Sequence, residues 1–108
     1  MERTKEQILQ QLKSELIANY ADEIQDVILF GSYAKNTQTI DSDFDILIVL
    51  KNQFNWITKN KIRDICYDVS LENDILIDSK IVSTVDLNSL FWGKHPLFTD
   101  AIKFGIHA

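Results

Sequence analysis

Two short stretches hold residues whose types and spacing suit phosphate and metal chemistry. Gly31-Ser32 ends the apolar run Val27-Ile28-Leu29-Phe30, and Tyr33-Ala34-Lys35 behind it is compatible with a helix start. A glycine at such a turn lets the backbone approach a phosphate closely, and the first N–H groups of a helix point at an anion. Ser32 adds a hydroxyl donor. Lys35, about one helical turn on, adds a positive charge, although a solvated surface lysine would read the same way. Eleven residues after Ser32 comes Asp43, and then Asp45. Alternation along a strand puts both carboxylates on one face, where they can converge on a single cation. Close carboxylates repel unless a cation offsets them, and Mg²⁺ prefers oxygen ligands, completing its shell with water and substrate phosphates. The turn and the acid pair therefore supply what each lacks.

Elements on either side must position these groups. Ile8, Leu12, Leu16 and Ile17 recur at helical spacing between Thr4 and Tyr20, with Thr4 as the cap. Val27 to Phe30 is a short continuous apolar run, as in a strand buried on both faces. Phe44 to Leu50 is a second strand, apolar on both faces from Ile46 onward and so central, with the two aspartates at its open end. Phe54 to Leu71 follows a helical repeat through Ile57, Ile62, Ile65, Cys66 and Val69. Asn73-Asp74 breaks it and leads into a third strand, Ile75 to Val82. The tail from Asp86 to Ala108 reads as two short helical turns interrupted at Pro96. The order predicts a small α/β (α+β) fold, a mixed sheet covered by helices.

Size and charge narrow the classes. The 108 residues suit one domain spanning 1–108, and 45% hydrophobic with 25% charged residues is ordinary for a globular chain. No run approaches the ~20 apolar residues that span a bilayer, and no apolar signal region follows the N-terminal charges. A cytoplasmic protein without a membrane role is the expectation. A net charge of −5 argues against general nucleic-acid binding, which needs a basic face, but a metal ion can reverse the local field for a small anionic substrate. Cys66, the single cysteine, excludes an internal disulfide and reads as a core residue.

Competing motifs fail on particular positions. Asp41-x-Asp43-x-Asp45 resembles the opening of a calcium-binding EF-hand loop, but Ile46 and Asn52 stand where that loop needs glycine and glutamate. A P-loop fails because no second glycine followed by Lys and Ser or Thr comes after Gly31. Asp41 reads as a turn residue. His95 and His107 read as structural or exposed. Phe91, Trp92, Phe98 and Phe104 read more readily as core than as interface.

The run Gly31-Ser32-Tyr33-Ala34-Lys35-Asn36 through Ser42-Asp43-Phe44-Asp45-Ile46-Leu47-Ile48 resembles the signature of the DNA polymerase β-like nucleotidyltransferase superfamily. Within it the chain is similar to the minimal nucleotidyltransferases, single domains of about this length. The resemblance implies that Gly31 and Ser32 hold a nucleoside triphosphate and that Asp43 and Asp45 bind two Mg²⁺ ions. It also implies a third carboxylate on a neighbouring strand, a metal ligand that helps deprotonate the acceptor hydroxyl. Asp78, inside the third strand, and Asp74, at its start, have the same parity. A ligand is better held by a rigid strand than by its end, which favours Asp78.

The resemblance further implies transfer of AMP from ATP to a hydroxyl. The acceptor would be a tyrosine on a small helical HEPN-type partner, in an antitoxin role, with the tail aromatics as contact surface. A homodimer is compatible with the sequence. The alternative is a catalytically weak or inactive module that keeps the fold and sequesters a helical partner or senses a nucleotide. A third reading, nucleotidyl transfer to a small molecule such as an aminoglycoside, usually needs more chain.

Overall fold

The computed structural model describes residues 3–89 and 94–108. Its first helix, α1 (Lys5–Tyr20), starts at a capping box in which Thr4 Oγ1 accepts from the Gln7 N–H at 3.2 Å and Gln7 Oε1 accepts from the Thr4 N–H at 2.9 Å. Ile8, Leu9, Leu12 and Leu16 form its buried stripe. Ile17, expected on that stripe, is 39% exposed. A helix advances about 100° per residue, so Ile17 points opposite to Ile8, and Leu9 takes the buried position instead.

The remaining elements are β1 (Ile24–Phe30), α2 (Gly31–Ala34), β2 (Phe44–Leu50), α3 (Trp56–Asn73), β3 (Ile77–Ser83), α4 (Thr84–Leu87), α5 (Pro96–Phe104) and β4 (Ile106–His107). The sheet runs β3-β2-β1-β4. β1 is antiparallel to β2 and to β4, whereas β2 and β3 are parallel. A parallel pair needs a crossover, and α3 supplies it.

Both faces of the sheet are covered. Leu12 and Leu16 of α1 and Ile62, Cys66 and Val69 of α3 pack on Val27, Leu29, Ile46, Ile48 and Leu50. Phe98 and Ala101 of α5 pack on Ile28, Leu47, Val49 and Val82. Two-sided cover explains why β1 and β2 read as unbroken apolar runs rather than as alternation. Cys66 is buried as expected, and burial pushes its thiol up to about 11, so it is no thiolate at neutral pH.

Other expectations change. Asp74 does not begin a strand. It ends α3 in the left-handed conformation (φ 51°), its N–H bonded to the Ser70 carbonyl, and β3 starts at Ile77. Asp tolerates that conformation better than most residues, so Asn73-Asp74 works as a helix stop. Pro96 opens α5 rather than interrupting a helical tail, because a first-turn residue has no N–H partner to lose. β4 was not anticipated, since two residues carry no periodicity. Among the tail aromatics Phe98 is buried, as expected, but Phe104 is 64% exposed; Phe91 and Trp92 lie outside the described residues. No helix among the described residues is long and apolar enough to cross a membrane.

His107 ties β4 down. Its Nδ1 lies 2.6 Å from Asp26 Oδ2 and its Nε2 2.8 Å from the Ile102 carbonyl. Desolvation disfavours the imidazolium, but the Ile102 carbonyl and the Asp26 carboxylate outweigh it, and the pKa ends above its usual 6.5. A raised folded value means that the stabilisation is fully present below pH 6.5 and is lost as pH rises through the folded pKa. Asp26→Asn should flatten that dependence, lowering stability by up to about 1 kcal/mol at pH 5.5 and little at pH 9, after allowing for the pair's exposure. Urea midpoints at the two pH values check this, and an equal loss at both would contradict it.

Candidate active site

The motif residues gather where β1 ends and β2 begins. Phe30 pairs with Asp45 across the antiparallel ladder, which sets Gly31 against the Asp45 side chain. Gly31 has φ +74°, a conformation that L side chains rarely adopt, and a Cβ there would lie 2.2 Å from Asp45 Oδ2. The carboxylate thus occupies the space a side chain would fill, so glycine answers two requirements at once.

The turn after Gly31 is shorter than a helix start suggests. α2 is a single turn of four residues, so it has little macrodipole, and any anion affinity rests on its N–H groups. Ser32 is half-buried; its carbonyl accepts from the Thr37 N–H at 2.9 Å, while its hydroxyl makes no hydrogen bond among the described residues. Lys35 closes the turn, its N–H bonded to the Gly31 carbonyl at 3.2 Å. Its exposed side chain and Gly31 line one cleft of about 310 Å³, together with Asp100, Leu97 and Phe104 of α5. Tyr33 packs edge-on to Phe44 with ring centroids 5.1 Å apart, which fixes the turn against β2.

The acids follow from register. Asp43 stands exposed one residue ahead of β2, and Asp45 is inside it. β2 and β3 pair in parallel with Asp45 opposite Asp78, so both side chains lie on the sheet face that α5 covers farther along. Burial raises the Asp45 pKa, and the charges of Asp78 and then Asp43 raise it further, against a lowering by Lys80. Asp74 is absent from those neighbours. It lines a separate cleft of about 420 Å³ with Asp41, Ser42, Asp43 and Leu71. Asp41 lies in the turn before β2, as expected, where Thr39 N donates to Ser42 Oγ at 2.8 Å.

Lys80 was not anticipated. Its Nζ holds both Asp78 oxygens, at 3.1 and 3.3 Å. The alternation Asp78-x-Lys80 was legible in β3, but only pairing with β2 brings that lysine to the acids. Its ammonium partly offsets three crowded carboxylates, which is the task of a cation. The donor set is all oxygen and acid-rich, with the Asp45 carboxylate cradled against Gly31, and so fits a hard divalent ion. Even so, no three His, Cys, Asp or Glu side chains among the described residues are drawn into a ready-made metal cluster.

Comparison with known proteins accords with this geometry. The profile of the nucleotidyltransferase domain family matches residues 6–94. A Methanocaldococcus jannaschii protein provisionally named a protein adenylyltransferase is 38% identical over 71 residues, 66% of this chain and 72% of the relative. A second from that organism, similarly named, is 31% identical over 91 residues, 83% of this chain and 86% of the relative. A solved toxin–antitoxin structure with AMP-PNP aligns over 90% of this chain and 69% of its own at a TM-score of 0.58 and 20% identity. A variant of the MntA–HpeT toxin–antitoxin gives the same coverage and score at 16% identity. These two likenesses show the shared fold. The family match over most of the chain, with its glycine turn set against paired acids, has one consequence: the chain belongs to the nucleotidyltransferase domain family and is a nucleotidyltransferase.

Proposed function

We propose that this chain transfers AMP from ATP to a hydroxyl of a partner protein, in a Mg²⁺-dependent reaction. The acceptor is a tyrosine of a helical HEPN-type partner that the chain holds in check as an antitoxin. The observation carrying the reading is the register of Asp45 against Asp78, beside the Gly31 turn. The names of the relatives support adenylyl transfer to protein, and those of the structural neighbours support a toxin–antitoxin pairing and an ATP-like nucleotide.

Asp43, Asp45 and Asp78 would hold two Mg²⁺ ions. When bound, such ions activate the attacking oxygen and stabilise the leaving pyrophosphate. The chain's own groups do the rest. Gly31 and Ser32 hold the triphosphate by N–H and hydroxyl donors, and Lys35 adds charge at the rim. The acceptor oxygen forms a bond to the α-phosphorus as the bond to pyrophosphate breaks, and pyrophosphate leaves with that electron pair. The hydroxyl proton passes to Asp78 and on to water. Lys80 holds Asp78 in place until the acceptor arrives.

Titrating ATP with Mg²⁺ into the protein and into Asp43→Asn tests the site by calorimetry. Metal-dependent binding should weaken at least about tenfold in the variant; equal binding in both would remove Asp43 from the mechanism. The Lys80–Asp78 ion pair favours a second reading, a weak or inactive module that binds nucleotide or partner without transfer. Tight Mg²⁺-dependent ATP binding with no AMP reaching a co-purified helical partner would select it.

A further inference from the structure

The geometry points to an acceptor segment of acidic character, seated in a cationic cavity on the β3 side of the site; this rests on the transferase reading above. Gly31 lies at the end of β1 and Asp78 on β3, with β2 between them. A triphosphate held at Gly31 takes the β1 side of Asp45, and the β3 side is left to the attacking hydroxyl. There a cavity of about 540 Å³ is lined by Phe54, Lys59, Arg63, Lys80, Leu97 and Phe98.

Its charge runs against that of the chain. The sequence has 11 Lys and Arg against 16 Asp and Glu, yet three of those cations meet on this one wall. Lys59 and Arg63 stand four residues apart on α3, where like charges share a face and destabilise a bare helix. Neither forms an ion pair among the described residues. Asp86, the acid on the same wall, is turned to capping: its Oδ2 accepts from the Ser83 N–H at 3.3 Å. Lys80 joins the cavity to the catalytic acids through Asp78. Carboxylates flanking the acceptor hydroxyl would meet Lys59 and Arg63, while Phe54, Leu97 and Phe98 would take an apolar or aromatic side chain beside them. Complementary charge of this kind sets partner choice and encounter rate more than bulk affinity.

Two fluorescein-labelled peptides test this, one with a tyrosine flanked by glutamates and one with it flanked by lysines. Fluorescence polarisation should give the acidic peptide at least about tenfold tighter binding, weakening as salt rises. The double variant Lys59→Glu/Arg63→Glu should erase that preference and leave binding of a fluorescent ATP analogue within about twofold. Should the reversal fail to fold, Lys59→Gln/Arg63→Gln should reduce the preference in the same direction. Equal binding of both peptides, or a preference for the basic one, would overturn the proposal. So would a loss of nucleotide binding as large as the loss of peptide, which makes the cavity a nucleotide site. Acidic-peptide binding that depends on Lys59 and Arg63, without AMP transfer to the tyrosine, supports the cavity and fails the transferase reading alone.

Discussion

Gly31→Ala should lower stability by about 2–4 kcal/mol, which for a domain of this size is a fall in Tm of roughly 10–25 °C. Two terms add. An L residue held at φ +74° is strained by roughly 1–2 kcal/mol. The added Cβ would also lie 2.2 Å from Asp45 Oδ2, so the carboxylate must move. The second term makes the substitution more than a folding lesion, because displacing Asp45 disturbs the acid pair. Thermal unfolding by circular dichroism measures the first effect and Mg²⁺-dependent ATP binding the second. A variant as stable as the parent would mean that the carboxylate does not occupy the glycine's cradle.

Asp45→Asn should separate stability from function in the opposite sense. The Asp45 pKa is raised by burial, then by Asp78 and Asp43. A carboxyl raised in the fold makes the metal-free protein lose stability as pH climbs from the unfolded value near 3.8 through the higher folded one. Asparagine is neutral throughout and removes that penalty. Because the group is only partly buried, solvent screening limits the gain at pH 7 to about 0.5 kcal/mol, or a Tm rise of about 2–4 °C. Nucleotidyl transfer should fall by about a thousandfold, the scale on which preorganised transition-state contacts are lost. Melting curves without metal and AMP-transfer rates with it give both numbers. A variant that is less stable and still active would reverse the assignment of Asp45 as a strained functional acid.

Such trade-offs are expected where a site is assembled from like charges. The same logic explains Lys80. The Lys80 ammonium holds both Asp78 oxygens and pulls the Asp45 pKa down against burial and the two neighbouring acids.

Much of the fold was legible from local rules. The Thr4 cap, the β2 boundaries and the centrality of β2 follow from capping chemistry and from apolar runs without alternation. Boundaries failed where a residue's role depended on backbone conformation. Asn73-Asp74 does break the helical repeat, closing α3 in a left-handed turn, but β3 starts at Ile77 rather than Ile75, and Pro96 opens α5 rather than interrupting a helical tail. β4 was illegible because its two residues are held by pairing to β1 and by the His107–Asp26 contact, both of high sequence separation.

By itself, the sequence determined the chemistry on offer: a glycine turn after a buried strand, and two acids at alternating positions entering another. Those are local properties of type and spacing, and spacing sets which way a strand side chain faces. Which partners those groups meet was decided by tertiary structure. Parity could not choose between Asp74 and Asp78, because residues four apart on a strand face the same way. The parallel register of β2 with β3 sets Asp78 opposite Asp45, and it carries Lys80 to the same face. That is a long-range choice, made by the α3 crossover and the packing on both faces of the sheet.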